Sequence, residues 1–234
     1  MNKLSRLAVC ALSLALNAGG LHAQSSCSSD GQPQPVGLLE RFINADCESC
    51  WGDAGTMRPG AGEIALDWIV PGSRGDDAPL SAAASRDAPA RLEALGRPVP
   101  PGAAGSHRKV QREPRRVRVA QGAPFGGYIG ASIELTPGSG GPWKAWLLLV
   151  ETIPAGSEGT PVARNLVRNA LQPAWDAAKP LSKEEQMRLF ESRPMSIPEG
   201  ANPARLRVVG WVEDARGRIR AIAQSRCTPP GPRG

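Results

Sequence analysis

Cysteine offers the most specific chemistry in this 234-residue chain, and it occurs five times. Cys47 and Cys50 form the stretch Cys47-Glu48-Ser49-Cys50, directly after an apolar run at 36–44. Thiols at this spacing can close a small, reducible disulfide while the first sulfur stays exposed. In exchange chemistry Cys47 would be the attacking thiolate and Cys50 the resolving thiol, cycling through a mixed disulfide. The same spacing also suits a structural disulfide. Zinc would need four N or S ligands, and Cys27, Cys227 and His107 stand at no finger-like spacing from the pair. No metal and no cofactor is therefore expected. Cys27 and Cys227 sit in polar ends, SSCSSD and SRCTPP, just outside strands, and are expected to bridge the two tails. A Ser-His-Asp or Cys-His arrangement would have to use His107, and nothing around it supports one.

The compartment is read from residues 1–23. Lys3 and Arg6 make a short basic start, residues 7–16 are almost wholly apolar, and Leu21-His22-Ala23 offers a small residue before Gln24. This is the layout of a secretory signal peptide cleaved after Ala23. Ten apolar residues are too few for a membrane-spanning helix, which needs about 20. Cys27 follows Gln24-Ser25-Ser26 without the Leu of a lipid-attachment pattern. The mature chain is expected to be periplasmic or secreted, with no integral membrane segment. Cleavage removes Lys3 and Arg6, taking 28 basic residues to 26 against 22 acidic ones, a net charge of +4. It also removes Cys10 and leaves Cys27, Cys47, Cys50 and Cys227. An even count in an oxidising compartment reads as two disulfides.

These residues must be positioned by a chain rich in breakers. Its 27 Gly and 23 Pro are roughly a fifth of the residues, against a usual share of about 12%. Such a load rules out a helical bundle or coiled coil. Residues 24–35 read as a flexible polar tail. Strands are expected at 36–44 and 63–70. Residues 76–95 are Ala-rich, with Asp87 capping a short helix from Ala88, Pro89 in its first turn and Gly96 just past its end. Residues 97–115 read as a loop dense in Pro, Gly and basic residues. From Arg116 the period is strand-like. The runs 128–136 and 143–152 flank Pro137-Gly138-Ser139-Gly140-Gly141-Pro142, which reads as a hairpin loop. Residues 162–171 suit a strand or a helix. Ser182 with Glu185 forms a helix cap. Residues 206–213 and 218–224 make a second hairpin. A mixed front half and a β-rich back half point to an α+β class.

Arg108, Lys109, Arg112, Arg115, Arg116 and Arg118 place six cations against one acid, Glu113. A nucleic-acid role lacks interleaved aromatics and does not suit an exported protein. The stretch 108–118 reads as a solvated loop, with attraction to an anionic envelope surface as the alternative. Trp143 and Trp146 lie three apart, so in a strand they face opposite sides. One is expected in the core, and the other in the core or on a binding surface.

The stretch from Leu38 to Cys50 resembles an uncharacterised family of secreted bacterial thioredoxin-like proteins. Glu40, Phe42, Cys47, Ser49 and Cys50 match that family's strand and its Cys-Ser-Ser-Cys. Gly156-Ser157-Glu158-Gly159, Asn165-Leu166-Val167-Arg168 and Trp175 resemble its later turn, strand and Trp, and residues 208–224 its closing hairpin. The resemblance implies a reduced thioredoxin-like part at 36–122 and an appended β-rich, sandwich-like part at 123–227, with a flexible tail at 228–234. It implies no established reaction. Trp51-Gly52-Asp53 stands where the family has Pro-Pro, and the 12 residues at 51–62 include Gly52, Gly55, Pro59, Gly60 and Gly62. A full amphipathic helix does not fit there, so a helix dipole would give a thiolate little help. Asp46, Glu48 and Asp53 would oppose a negative sulfur. The family's cis-Pro segment has no clear counterpart; Pro114 is the nearest.

Two functions follow as expectations. One is thiol–disulfide redox through Cys47 and Cys50, with other exported proteins carrying thiols or disulfides as partners. The other is a non-catalytic periplasmic binding or scaffold module in which that disulfide is structural or vestigial. N-terminal sequencing of protein from the cell envelope checks the export reading: it is expected to begin at Gln24 with no lipid attached.

Overall fold

The computed structural model describes residues 27–111, 114–175 and 181–227. The expected signal peptide and the tail at 228–234 lie outside the described residues. So do Arg112 and Glu113 of the basic stretch.

The chain is mostly β, with 44% strand, 13% helix and two sheets of five and seven strands. This corrects the expected α+β, thioredoxin-like class. The helices are too short to form a layer: α1 (Glu48–Trp51), α2 (Asp87–Ala94) and α3 (Lys183–Met187). The strands are β1 (Cys27–Ser28), β2 (Gly37–Asn44), β3 (Glu63–Val70), β4 (Ala103–Lys109), β5 (Arg116–Gln121) and β6 (Tyr128–Thr136). They continue with β7 (Lys144–Ile153), β8 (Arg164–Leu171), β9 (Leu189–Ser196), β10 (Leu206–Glu213), β11 (Ile219–Gln224) and β12 (Arg226–Cys227). β4 falls within the expected loop at 97–115. Its sequence AAGSHRK has no apolar alternation, because it is an edge strand held by backbone pairing to β2.

The seven-stranded sheet runs β11-β10-β7-β8-β3-β2-β4. β2 and β3 pair in parallel from Gly37 opposite Glu63 to Asn44 opposite Val70, and β3 meets β8 in parallel at Asp67 and Leu166. Both faces of this sheet are covered, so strands such as KAWLLLVETI read as nearly unbroken apolar runs. The five-stranded sheet runs β12-β1-β5-β6-β9 and packs on one face. Val119, Ile133 and Leu135 there meet Leu147, Leu149 and Val208. Gly210 lets the sheets approach, since a Cβ at that position would lie 2.7 Å from Val119.

On the other face Phe42, Trp68, Trp146 and Trp211 form a second core with Ala88 and Leu92 of α2. The sheet curls round it until its two outermost strands approach. The backbone N–H of Gln111, just past β4, donates to the Ile219 carbonyl of β11 at 2.8 Å, and Arg108 of β4 donates to the carbonyl of Gly217.

The expected hairpin at 128–152 is not formed. β6 pairs with β5 and β9, whereas β7 pairs with β8 and β10, so 137–142 crosses between the sheets. The turn residues signal a reversal but not which sheet receives the returning strand. Trp143 and Trp146 do face opposite sides, and both are buried in the two cores. α2 and the Ser182–Glu185 capping box form where expected. Asp87, however, accepts the Ala170 N–H at 2.8 Å instead of capping α2. Among the described residues no helix is long and apolar enough to cross a membrane.

The described members of the basic stretch are largely committed within the fold. Arg118 pairs with Asp30, while Arg115 bonds the carbonyls of Pro137 and Ser139 and lies over the Trp143 ring. Arg108 reaches a buried cluster centred on Arg91, which has no solvent exposure. Arg91 donates to both Glu40 oxygens at 2.8 Å and to Glu213 at 3.0 Å. Its guanidinium lies 4.7 and 5.0 Å from the ring centres of Trp146 and Trp211. Burial pushes the Glu213 carboxyl up, but Arg91 and Arg108 outweigh it and hold the group below the usual range. Removing a partner from a buried pair leaves an uncompensated charge, at about 3–5 kcal/mol. Arg91→Met is therefore expected to lower unfolding stability in urea by about that amount.

Candidate functional site

The Cys47–Cys50 pair lies where β2 ends beside β3. Three strands' ends fix the chain there. The Asn44 N–H donates to the Gly102 carbonyl at 2.7 Å and its side-chain amide to the Pro100 carbonyl at 3.1 Å. The Ala45 N–H donates to Val70 at 2.8 Å. The chain then turns, with the Cys47 N–H on the Asn44 carbonyl, into the single turn of α1. Cys47 and Cys50 are joined in a disulfide, and both residues are half-buried. Cys27 and Cys227 form the second disulfide, joining β1 and β12 with Cα atoms 4.0 Å apart. Both expected pairings are thus present, one within the five-stranded sheet and one on the loop that follows β2.

On one side Cys50 packs against the cluster that includes Ile43, Trp51 and Leu166. Gly102, which opens onto β4, faces the first disulfide with no side chain: a Cβ there would lie 3.4 Å from the Cys50 sulfur and 3.9 Å from the Cys47 sulfur. Ser49 Oγ lies 3.6 Å from the Cys47 sulfur. Asp46 points away into the next turn, accepting from the Ser73 N–H and hydroxyl and from the Arg74 N–H. Partial desolvation pushes the Asp46 carboxyl up, but these bonds prevail and hold it below its ordinary value. Glu48 is exposed on α1, and Asp53 is exposed beyond it.

Beneath the loop lies an ionic set that composition and spacing did not single out. Arg41 on β2 donates to Asp67 on β3 at 2.7 Å, and Arg164 on β8 donates to the other Asp67 oxygen at 3.0 Å. All three are buried. Arg164 also donates to the carbonyls of Trp51, at 2.8 Å, and Cys50, at 3.5 Å. Its guanidinium lies 4.9 Å from the Trp51 ring centre. The Trp51 indole N–H donates to the Glu158 carbonyl at 2.7 Å. One signal was visible. Arg41 and Asp67 each stand fifth in an eight-residue apolar strand, and in-register parallel pairing sets them side by side.

His107 lies elsewhere, on β4, with Nδ1 2.7 Å from a Glu63 carboxylate oxygen at the surface. No group of three or more His, Cys, Asp or Glu that could hold a metal ion occurs among the described residues. The chain matches no family model, no curated protein and no solved structure. What the arrangement offers is a half-buried disulfide, bordered by Gly102, on a loop fixed from below. Exchange rates depend on access to the attacked sulfur. Gly102→Val puts a branched side chain over the pair and is expected to slow its reduction by dithiothreitol on the order of threefold to tenfold. Timed alkylation and mass spectrometry of the 47–50 peptide measure this.

Proposed function

We propose that this chain is an exported protein that exchanges thiols and disulfides with other exported proteins through Cys47 and Cys50. One observation carries the reading: the loop holding the disulfide is already shaped by non-covalent bonds. Arg164 holds its carbonyls, Trp51 is tied to Glu158, Asp46 to Ser73, and Asn44 to Pro100 and Gly102. A disulfide there is not needed to define the shape.

Loop-closure arithmetic supports the same division. A bridge across three residues removes about 2 kcal/mol of unfolded-chain entropy, against about 5 kcal/mol for a separation of 200. Stabilisation therefore belongs mainly to Cys27–Cys227. Two disulfides together with the signal-like leader support export.

In one exchange, a partner thiolate attacks the Cys47 sulfur. The S–S electron pair leaves with Cys50 as a thiolate, giving a mixed disulfide. A second partner thiolate attacks the partner's sulfur in that bond and releases Cys47 as a thiolate. The partner dithiol is oxidised and the Cys47–Cys50 pair reduced, with two electrons transferred. The reverse sequence starts from the Cys47 thiolate, with Cys50 resolving.

The four-residue length of α1 favours the second reading, a non-catalytic binding or scaffold module with a structural disulfide, because it withholds helix-dipole support. Equilibration with glutathione separates the two. The exchange reading expects a reduction potential above about −230 mV, among redox-active dithiols. A value below about −300 mV, typical of structural disulfides, would falsify it.

A further inference from the structure

We propose that Arg164 is a positioning residue for the pair: its buried guanidinium, fixed on the carbonyls of α1, stabilises negative charge on the Cys50 sulfur when the disulfide opens. This rests on the exchange reading and names the group that substitutes for a helix dipole. In either direction of exchange Cys50 carries that charge, as the leaving or the resolving thiolate.

Two guanidiniums, Arg41 and Arg164, face one buried carboxylate, Asp67. The remaining guanidinium bonds go to neutral oxygens: Met57 and Ala163 carbonyls for Arg41, and the Thr160 hydroxyl and the Trp51 and Cys50 carbonyls for Arg164. Arg41 Nε is buried with no partner. The set therefore holds one positive charge more than it neutralises. Desolvation and the neighbouring Arg41 hold the Arg164 guanidinium below its ordinary value, against the pull of the buried Asp67 and of the exposed Asp53.

Position directs this excess. Arg164 bonds the carbonyl of Cys50 itself, and the Cys50 sulfur is four covalent bonds from that oxygen. The other charges near the loop are less favourably placed. Asp46 is held by Ser73 and Arg74, Glu48 and Asp53 are exposed, and the Glu158 carboxylate pairs with Arg205. Arg97, from the segment before β4, is engaged by the Ser106 hydroxyl. Exposed charges are screened by water and salt, whereas a buried one is screened much less. An opposite charge a few ångströms away moves a titrating group by about one unit or more.

The test uses full-length mature protein with Cys47→Ser, which leaves Cys50 a free thiol and Cys27–Cys227 intact. Thiolate absorbance at 240 nm and iodoacetamide alkylation are followed against pH. Adding Arg164→Gln is expected to raise the Cys50 titration by about one unit, with alkylation at pH 7 about tenfold slower. Adding Asp67→Asn removes the competing carboxylate and is expected to shift the titration the opposite way, down by about one unit. A purely structural Arg164 would not give shifts of opposite sign; equal titration in all three proteins, or upward shifts in both variants, overturns the proposal. If Arg164→Gln does not fold, Asp67→Asn alone decides: no downward shift overturns it. The readout does not depend on the potential of the Cys47–Cys50 pair. Opposite shifts in a protein whose pair lies below about −300 mV would retire the exchange reading and leave the electrostatic role of Arg164 standing.

Discussion

Arg91 carries a full charge into the space enclosed by the seven-stranded sheet, and most of the architecture answers to it. Burying an ion costs several kcal/mol unless opposite charges offset it. Those partners are Glu40 on β2 and Glu213 on β10, with β7, β8 and β3 between them in the sheet. Four strand spacings of about 4.8 Å would put the two carboxylates about 19 Å apart in a flat sheet. One guanidinium bonds both, so the sheet has to curl. Arg108, on the outermost strand β4, then reaches Glu213 at 2.8 Å and helps bring β4 to the far edge. Docking of α2, the curl and the near meeting of the two edges are one constraint seen from three sides.

Strand β2 ties that constraint to the disulfide loop. Successive residues of a strand point to opposite faces. Glu40 therefore enters the Arg91 cluster while Arg41 turns to Asp67 and Arg164 beneath Cys47 and Cys50. A slip of one residue in β2 would send each charge to the wrong interior. Glu40 would face an acid, Asp67, and Arg41 would face a cation, Arg91. Two oppositely charged residues in LLERFIN thus fix register more strongly than its apolar residues could, since leucines and isoleucines occupy both faces. The end of β2, and with it the placement of Cys47, inherits that register.

What could be read from the sequence divides along the same line. Local signals were legible: the pair of alternating or apolar strands at 206–224, the capping box at Ser182, and the short α2 followed by Gly96 at positive φ. The cysteine pairings were legible from count and placement. Features decided by distant partners were not. β4 and β9 carry few apolar residues and owe their existence to β2 and β6. The destination of β7 after 137–142 depends on β8 and β10, which come later in the chain. The fold class went astray for that reason: with β4 read as loop and β9 not foreseen, a mostly β chain reads as α+β. At the site, the sulfurs were visible, but Arg164 lies 97 residues from its partner Asp67 and sits in a run, RNLVRNAL, that reads as an ordinary amphipathic segment.

The shortness of α1 changes where electrostatic support for a sulfur anion must come from. A helix supports a thiolate through unsatisfied N–H groups in its first turn and an aligned dipole behind them. In a four-residue turn the two ends nearly coincide, and Cys50 lies in the same turn as the carbonyls whose partial negative charge would oppose it. Those carbonyls are the ones Arg164 occupies. A neutral donor, such as an amide side chain, could satisfy them as hydrogen-bond acceptors without bringing a second buried cation beside Arg41. Placing a guanidinium there accepts a desolvation cost that hydrogen bonding alone does not require. On the exchange reading proposed above, the cation offsets the unfavourable end of the turn. On that reading the arrangement suits a bond that opens to a thiolate.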